Sequence, residues 1–196
     1  MAKPISKREI TRLPKANYED IRSSLKTGDL VFCSGNYYFS KVIQYFTKSV
    51  WSHVGVIYKD EQLGRVLILE SEVGIGVRLA PVSKYLKDYH GRNKPYKGNI
   101  VVANINPHVD VKQVNNAISF GLDELTKPYD NFEILRIMIR ILFRITRRTR
   151  DRKYICSELI DACYHKAGLK FSIFDNYISP YDIWRDSKVE MVARIL

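Results

Sequence analysis

Cysteine is scarce in this sequence. Cys33, Cys156 and Cys163 are the only three in 196 residues, too few and too odd in number for a disulfide framework. No CxxC pair is present to hold a structural zinc ion, and neither a metal nor a cofactor is expected. No apolar run approaches the ~20 residues that would span a bilayer. The opening MAKPISKREI lacks the apolar centre of a signal peptide. Together these absences predict a reduced, cytoplasmic setting. There is no internal repeat and no low-complexity linker, so the chain reads as one domain over residues 1–196, with residues 1–26 as a polar, basic N-terminal extension. Acid is also short: 21 Asp and Glu face 32 Lys and Arg, a net charge of +11. That surplus suits an acidic partner (nucleic acid, an anionic membrane or an acidic polymer) or a soluble basic protein with no such partner.

What is present is enough apolar material for a core, 45% of residues, with 12% aromatic. DLVFC reads as a short strand, and residues 37–48 carry helical amphipathic spacing. HVGVIYK and RVLILES form a hairpin around a polar turn with Gly64. GVRLAPVSKYL is a strand end followed by a helix opening at Pro81, and GNIVVANI is a further strand. Residues 109–148 follow a helical pattern broken at KPYD, 127–130. YICSELIDACYHKAG is a helix ending at Gly168, SPYDIWRD opens with a Ser cap and a Pro, and KVEMVARIL closes the chain as a strand. Strands and helices are partly segregated, which favours an α+β fold with an antiparallel sheet.

Two cysteines compete for a chemical role. Cys33, in FCSG, ends a strand among apolar neighbours, where a thiol behaves as a small hydrophobe. Cys156 opens the helix of KYICSELI, where free N–H groups and the helix dipole stabilise a thiolate. Ile155, Leu159, Ile160 and Cys163 form an apolar stripe, which predicts that Cys156 faces out of the first turn. A cysteine alone is more often structural than reactive, so a partner must decide. His90 and His108 lie in loops or at helix starts, and His165 on an exposed helix end. His53, in VWSHVGVIY, enters a strand, a rigid mount for a general base. Gly55 beside it would let another backbone approach. Glu70 lies in the otherwise apolar VLILES, and a buried carboxylate needs a partner such as an imidazole on the neighbouring strand. Glu72 projects from the same face and is the rival acid, read as the more solvated of the two. Nucleophile, base and orienting acid would then form a Cys-His-Glu set.

The segments GDLVF, WSHVGVIY, LESEVGIGV, KPYD, YICSELI and SPYDI, in that order, resemble the circularly permuted NlpC-type cysteine hydrolases of the YiiX-like group. These are similar in arrangement to the lecithin:retinol acyltransferases. The resemblance spans residues 27–185. It implies a papain-like α+β fold, a small antiparallel sheet packed against the helix that carries the nucleophile. It implies Cys156 as nucleophile, His53 as base and Glu70 as third member, with Cys33 an ordinary strand residue. Tyr154, just before the nucleophile, either donates to an oxyanion or packs. Asp29 braces the histidine loop, mostly in a structural role. Tyr129 and Asp130 are candidates for the cleft wall, and Ser52 and Trp51 for the substrate side of His53, with a core place equally open to Trp51.

Residues 131–150 are not explained by catalysis. On a helix, Arg136, Arg140, Arg144, Arg147 and Arg148 gather on one side of ILRIMIRILFRITRRTR, opposite Leu135, Ile139, Leu142 and their apolar neighbours. That is the pattern of an interfacial membrane helix, or of a core helix with a solvated basic face. No nucleic-acid motif accompanies it. The reading is a thiol hydrolase or acyltransferase acting on an amide or ester of a small peptide or lipid, close to an anionic membrane. The alternative is a papain-like module without activity that docks to a membrane or protein partner.

Overall fold

The computed structural model describes residues 5–105, 109–129, 154–172 and 178–196. Six strands form one sheet: β1 (Leu30–Gly35), β2 (His53–Asp60), β3 (Arg65–Glu72), β4 (Gly76–Pro81), β5 (Gly98–Ile105) and β6 (Val189–Arg194). Their order is β4-β3-β2-β1-β5-β6, and every neighbouring pair is antiparallel. The helices are α1 (Lys7–Arg12), α2 (Tyr18–Ile21), α3 (Tyr38–Thr47), α4 (Val82–Lys87), α5 (Val111–Asp123), α6 (Cys156–Lys166) and α7 (Pro180–Arg185). The architecture is the expected α+β one. Of the long helical pattern, α5 is described; the arginine segment and His108 lie outside the described residues.

The sheet is covered on both faces, and side-chain alternation divides the core in two. Leu30, Phe32, Val54, Val56, Leu69 and Val101 pack with α5, α6 and the Trp51–Trp184 pair. Val31, Cys33, Ile57, Ile68 and Ile100 face the other way, onto Tyr85, Tyr89 and Tyr96. This explains why β1 is buried at every position and reads as a continuous apolar run. It also separates the two cysteines: Cys33 belongs to the tyrosine-rich core and Cys156 to the helical one.

The first residues are more than an extension. Ile10 of α1 is fully buried, and Arg194 at the end of β6 donates to the carbonyls of Thr11 (2.8 Å) and Leu13 (3.1 Å). At the opposite edge, the Val77 N–H donates to the Lys127 carbonyl (2.8 Å), so KPYD begins beside β4. Gly76, at φ +101°, permits this approach, because a Cβ there would fall on the Lys127 carbonyl.

Gly55 shapes the sheet next to His53. A Cβ there would strike the Ile68 side chain and come within 3.2 Å of the Leu69 carbonyl and 3.3 Å of the Glu70 Cβ, so the neighbouring backbone approaches as the sequence suggested and side chains crowd the site as well. Gly55→Ala is therefore expected to lower stability by about 1–3 kcal/mol through overpacking. Urea unfolding checks this; an unchanged midpoint would mean that the pocket is looser than the geometry shows.

Candidate active site

The helix α6 carries its apolar stripe at Cys156, Leu159, Ile160, Cys163 and Tyr164, all buried against the sheet. Cys156 therefore heads the stripe and does not face out of the first turn. The physical reason is the i, i+3, i+4, i+7 spacing from 156 itself, which turns the helix start toward β2 and β3. Two hydroxyls lock that start in place. Ser157 donates to the Ile178 carbonyl (2.8 Å), and Ser71 of β3 donates to the Tyr154 carbonyl (2.8 Å).

His53 is the first residue of β2, and its ring touches both sides of the site. Its Nε2 is 2.7 Å from Glu70 Oε2. With that nitrogen held, the hydrogen bond between the imidazole and Cys156 falls to Nδ1. Burial works to lower the imidazole pKa. The charge and hydrogen bond of Cys156, followed by those of Glu70, outweigh it and raise the pKa well above its ordinary value. The imidazole is thus disposed to take up and hold a proton beside Cys156.

Glu70 is fully buried and carries three partners besides packing. Arg78 Nε donates to Oε1 (2.9 Å), and the Tyr85 hydroxyl and His53 meet at Oε2, the hydroxyl at 2.5 Å. Burial pushes its pKa up, but the bond and charge of His53, then Arg78 and Tyr85, bring it below the ordinary value. Glu70 is accordingly an ionised acceptor. Glu72 shares the face, as expected, but it is not solvated. Its side chain is only 13% exposed, with Arg78 Nη2 at 3.6 Å and the hydroxyls of Tyr89 (3.3 Å) and Tyr85 (3.4 Å) beside it. Burial first, and then the charge of Glu70, raise its pKa.

Arg78, Tyr85 and Tyr89 escaped the sequence reading. A signal for Arg78 was available: Glu70 and Arg78 lie equally far from Gly74 in LESEVGIGVR, and they pair directly across β3 and β4. The tyrosines carried none, since α4 reaches the carboxylates only after the chain has folded over the second face.

The other expected site residues fall as follows. Trp51 is fully buried against Phe32 and Trp184, with ring centroids at 5.4 and 4.6 Å, so it is a core residue and not part of the substrate side. Ser52 is likewise interior: its hydroxyl accepts from the Gly35 N–H (3.0 Å) and donates to the Cys33 carbonyl (3.2 Å), tying β1 to the entry of β2. The segment before His53 continues alongside β1, with the Ser52 N–H donating to the Cys33 carbonyl (2.9 Å). The Tyr154 hydroxyl hydrogen bonds to Glu124, and with burial this raises its pKa to about 12. Lys127 lies over the same ring, 5.6 Å from its centroid. Tyr129, with a buried ring, forms a parallel bridge with Tyr154, which brings KPYD beside the residue that precedes α6. Asp29 caps its own turn by accepting from the Lys26 N–H (2.8 Å). Arg136, Arg140, Arg144, Arg147 and Arg148, and Asp130, lie outside the described residues. Cys33 is buried in the tyrosine-rich core, and burial together with the charges of Glu70 and Glu72 pushes its thiol pKa well up.

His53, Glu70 and Glu72 also place one ligand atom each within 4.8 Å of one another, a donor set that a divalent cation could use. The surroundings oppose it. Arg78 is always cationic and already binds both carboxylates, Glu70 at 2.9 Å and Glu72 at 3.6 Å. A dication placed among these donors would stand against that guanidinium, so these residues do not fit a resident metal.

A family model described as permuted papain-like amidase enzyme, YaeF/YiiX, C92 family, matches residues 24–179. A search of the curated proteins returned no match. Among solved structures, the crystal structure of metalloprotein YiiX from Escherichia coli O157:H7 is similar in fold, with a TM-score of 0.63 and 21% identity over 86% of this chain and 97% of that one. The fold is thus papain-like in permuted order, as the six sequence segments implied.

The two carboxylates are expected to respond oppositely to pH. The folded-state pKa of Glu70 lies below its unfolded value, so its ionisation stabilises the fold above about pH 4.5, and that stability is lost as pH falls through the folded value. The pKa of Glu72 is raised, so its contribution is full below the unfolded value and is lost as pH rises through the folded value. Measured by urea unfolding from acid to neutral pH, wild type should gain on Glu70→Gln and lose ground to Glu72→Gln. Slopes of one sign for both variants would contradict the arrangement.

Proposed function

The chain belongs to the permuted papain-like amidase family of the YaeF/YiiX type, and on that footing we propose that it is a hydrolase or acyltransferase working through the thiol of Cys156. The observation that carries the reading is the continuous link from Cys156 through His53 to Glu70. His53 accepts the thiol proton at Nδ1. The thiolate attacks an amide or ester carbonyl, and the carbonyl electrons move onto oxygen. Because the Tyr154 phenol is committed to Glu124, oxyanion stabilisation is assigned to the Cys156 N–H and the dipole of α6. Collapse expels an amine or alcohol, which takes its proton from the imidazolium, and leaves a thioester on Cys156. Water or a second acceptor, deprotonated by His53, attacks the thioester and restores the thiol. Glu70 holds the ring and its charge throughout, and Arg78 and Tyr85 hold Glu70.

The family description favours an amide, and an ester on a lipid is the finer possibility that the basic surface supports. The structural neighbour is titled a metalloprotein; in this chain Arg78 occupies the electrostatic place of a cation, so the proposed chemistry needs none. A docking module without activity would have no use for the buried His53–Glu70 pair, since an unused buried ion pair costs desolvation.

Iodoacetamide labelling near neutral pH tests the reading. Cys156 should label quickly and Cys33 scarcely, and His53→Ala should slow Cys156 labelling by about tenfold or more. Chelator should leave the rate unchanged. With any turned-over amide, Cys156→Ala should cost at least ~10³-fold in kcat while Cys33→Ala leaves it largely intact. Equal losses in the two folded variants would remove Cys156 from its role.

A further inference from the structure

We infer that α3 is a docking surface for an anionic phospholipid membrane, placed at the His53 end of the sheet. Three observations converge on this helix.

The first is exposure. No residue of α3 is buried, and Tyr38 (78%), Phe39 (53%) and Tyr45 (78%) stand open to solvent. Val42, Ile43 and Phe46 are only half-covered. A ten-residue amphipathic helix has no folding reason to present its aromatics to water, because its burial against the body is slight. The helix is nevertheless held firmly at its base. Gln44 Nε2 donates to the carbonyls of Gly35 (3.1 Å) and Val50 (2.8 Å), and Lys48 in the left-handed region closes the last turn.

The second is charge. From Leu30 to Lys59 the sequence contains no Asp or Glu, while Lys41 and Lys48 are exposed on α3. Lys7 of α1 comes up beside Lys41, and the contact with that amine, aided by burial, holds the Lys7 pKa down at about 8. Cations crowded together, with no acid in the segment from 30 to 59, are complementary to an anionic surface. Tyrosine and phenylalanine flanked by lysines match the boundary between headgroup and acyl chain, where amphipathic rings settle and lysine stems reach outward. Nucleic acid would use the lysines but leave the apolar residues unexplained.

The third is position. The segment carrying α3 connects Gly35 at the end of β1 to His53 at the start of β2, and Cys33 pairs with His53 in register. A membrane bound at α3 would therefore lie at the end of the sheet where His53 stands. The consequence, delivery of a bilayer-borne amide or ester to Cys156, rests on the proposed function; the docking itself does not.

The test uses the full chain and vesicles of phosphatidylglycerol with phosphatidylcholine at ~0.1 M salt, where the Debye length is about 10 Å. The two native tryptophans are buried, so Phe39→Trp adds a single exposed reporter. Its emission should shift to the blue and be quenched by brominated phosphatidylglycerol, and pure phosphatidylcholine should do neither. Each lysine near such a surface is worth about a fivefold change, so Lys41→Glu with Lys48→Glu should weaken co-sedimentation at least ~20-fold. Tyr38→Ser with Phe39→Ser and Tyr45→Ser should also release the protein, with iodoacetamide labelling of Cys156 and the unfolding midpoint unchanged. Co-sedimentation without quenching, abolished by Arg140→Glu with Arg144→Glu, would place docking on the arginine segment and overturn the assignment to α3. Absence of vesicle binding, or binding to RNA instead, would overturn it outright. Neither result touches the chemistry at Cys156, which the labelling experiment decides separately.

Discussion

A carboxylate buried without solvent must be held by other groups, and Glu70 is the place where this protein meets that requirement. Its partners come from three elements: His53 from β2, Arg78 from β4 and Tyr85 from α4. Satisfying one charge therefore fixes the register of the β3–β4 hairpin, docks α4 onto the second face of the sheet and orients the imidazole. Glu72 joins the same partners at a penalty, since it lies close to Glu70 and shares Arg78. The pair is tolerable because Arg78 bridges it and the tyrosines supply donors.

The strand β3 organises both sides of the site by simple alternation. Glu70 points to the tyrosine-rich face and holds His53, while Ser71 points to the helical face and pins the Tyr154 carbonyl just before α6. Adjacent residues on one rigid strand thus position the His53 imidazole and the start of α6. Such placement keeps the reacting groups in a fixed relation without depending on loops. Cys33 pairs with His53 in register and shares the tyrosine-rich face with Glu70, where it stays a buried thiol, while Cys156 comes from the helical core. The two cysteines are divided by the sheet that lies between the two cores.

Membership of the permuted papain-like amidases agrees with this geometry, and the fold similarity to YiiX covers most of both chains. At the site an arginine is lodged against both carboxylates. This internal guanidinium supplies fixed positive charge to an acidic pair of which one member also holds the imidazole. The surface speaks to location more than to chemistry: the exposed aromatics and lysines of α3 sit beyond the end of the same sheet.

Much of this was present in the sequence. The hairpin of HVGVIYK and RVLILES, the Ser and Pro that open α7 and the helix ending at Gly168 are local signals, written in turn residues, caps and periodicity. So were the helix start at Cys156, the strand end at Cys33 and the acid Glu70 stranded in an apolar run, because these are local environments. The orientation of Cys156 was misread by one position, since an apolar stripe can be started at 155 or 156 and only the sheet beneath selects between them. Burial of Trp51, Ser52 and Glu72, and the roles of Arg78, Tyr85 and Tyr89, were decided by tertiary structure alone. Each depends on which segment lies across the sheet from it, and a side chain's solvent, charge partners and pKa are properties of that packing, which no short window of sequence contains.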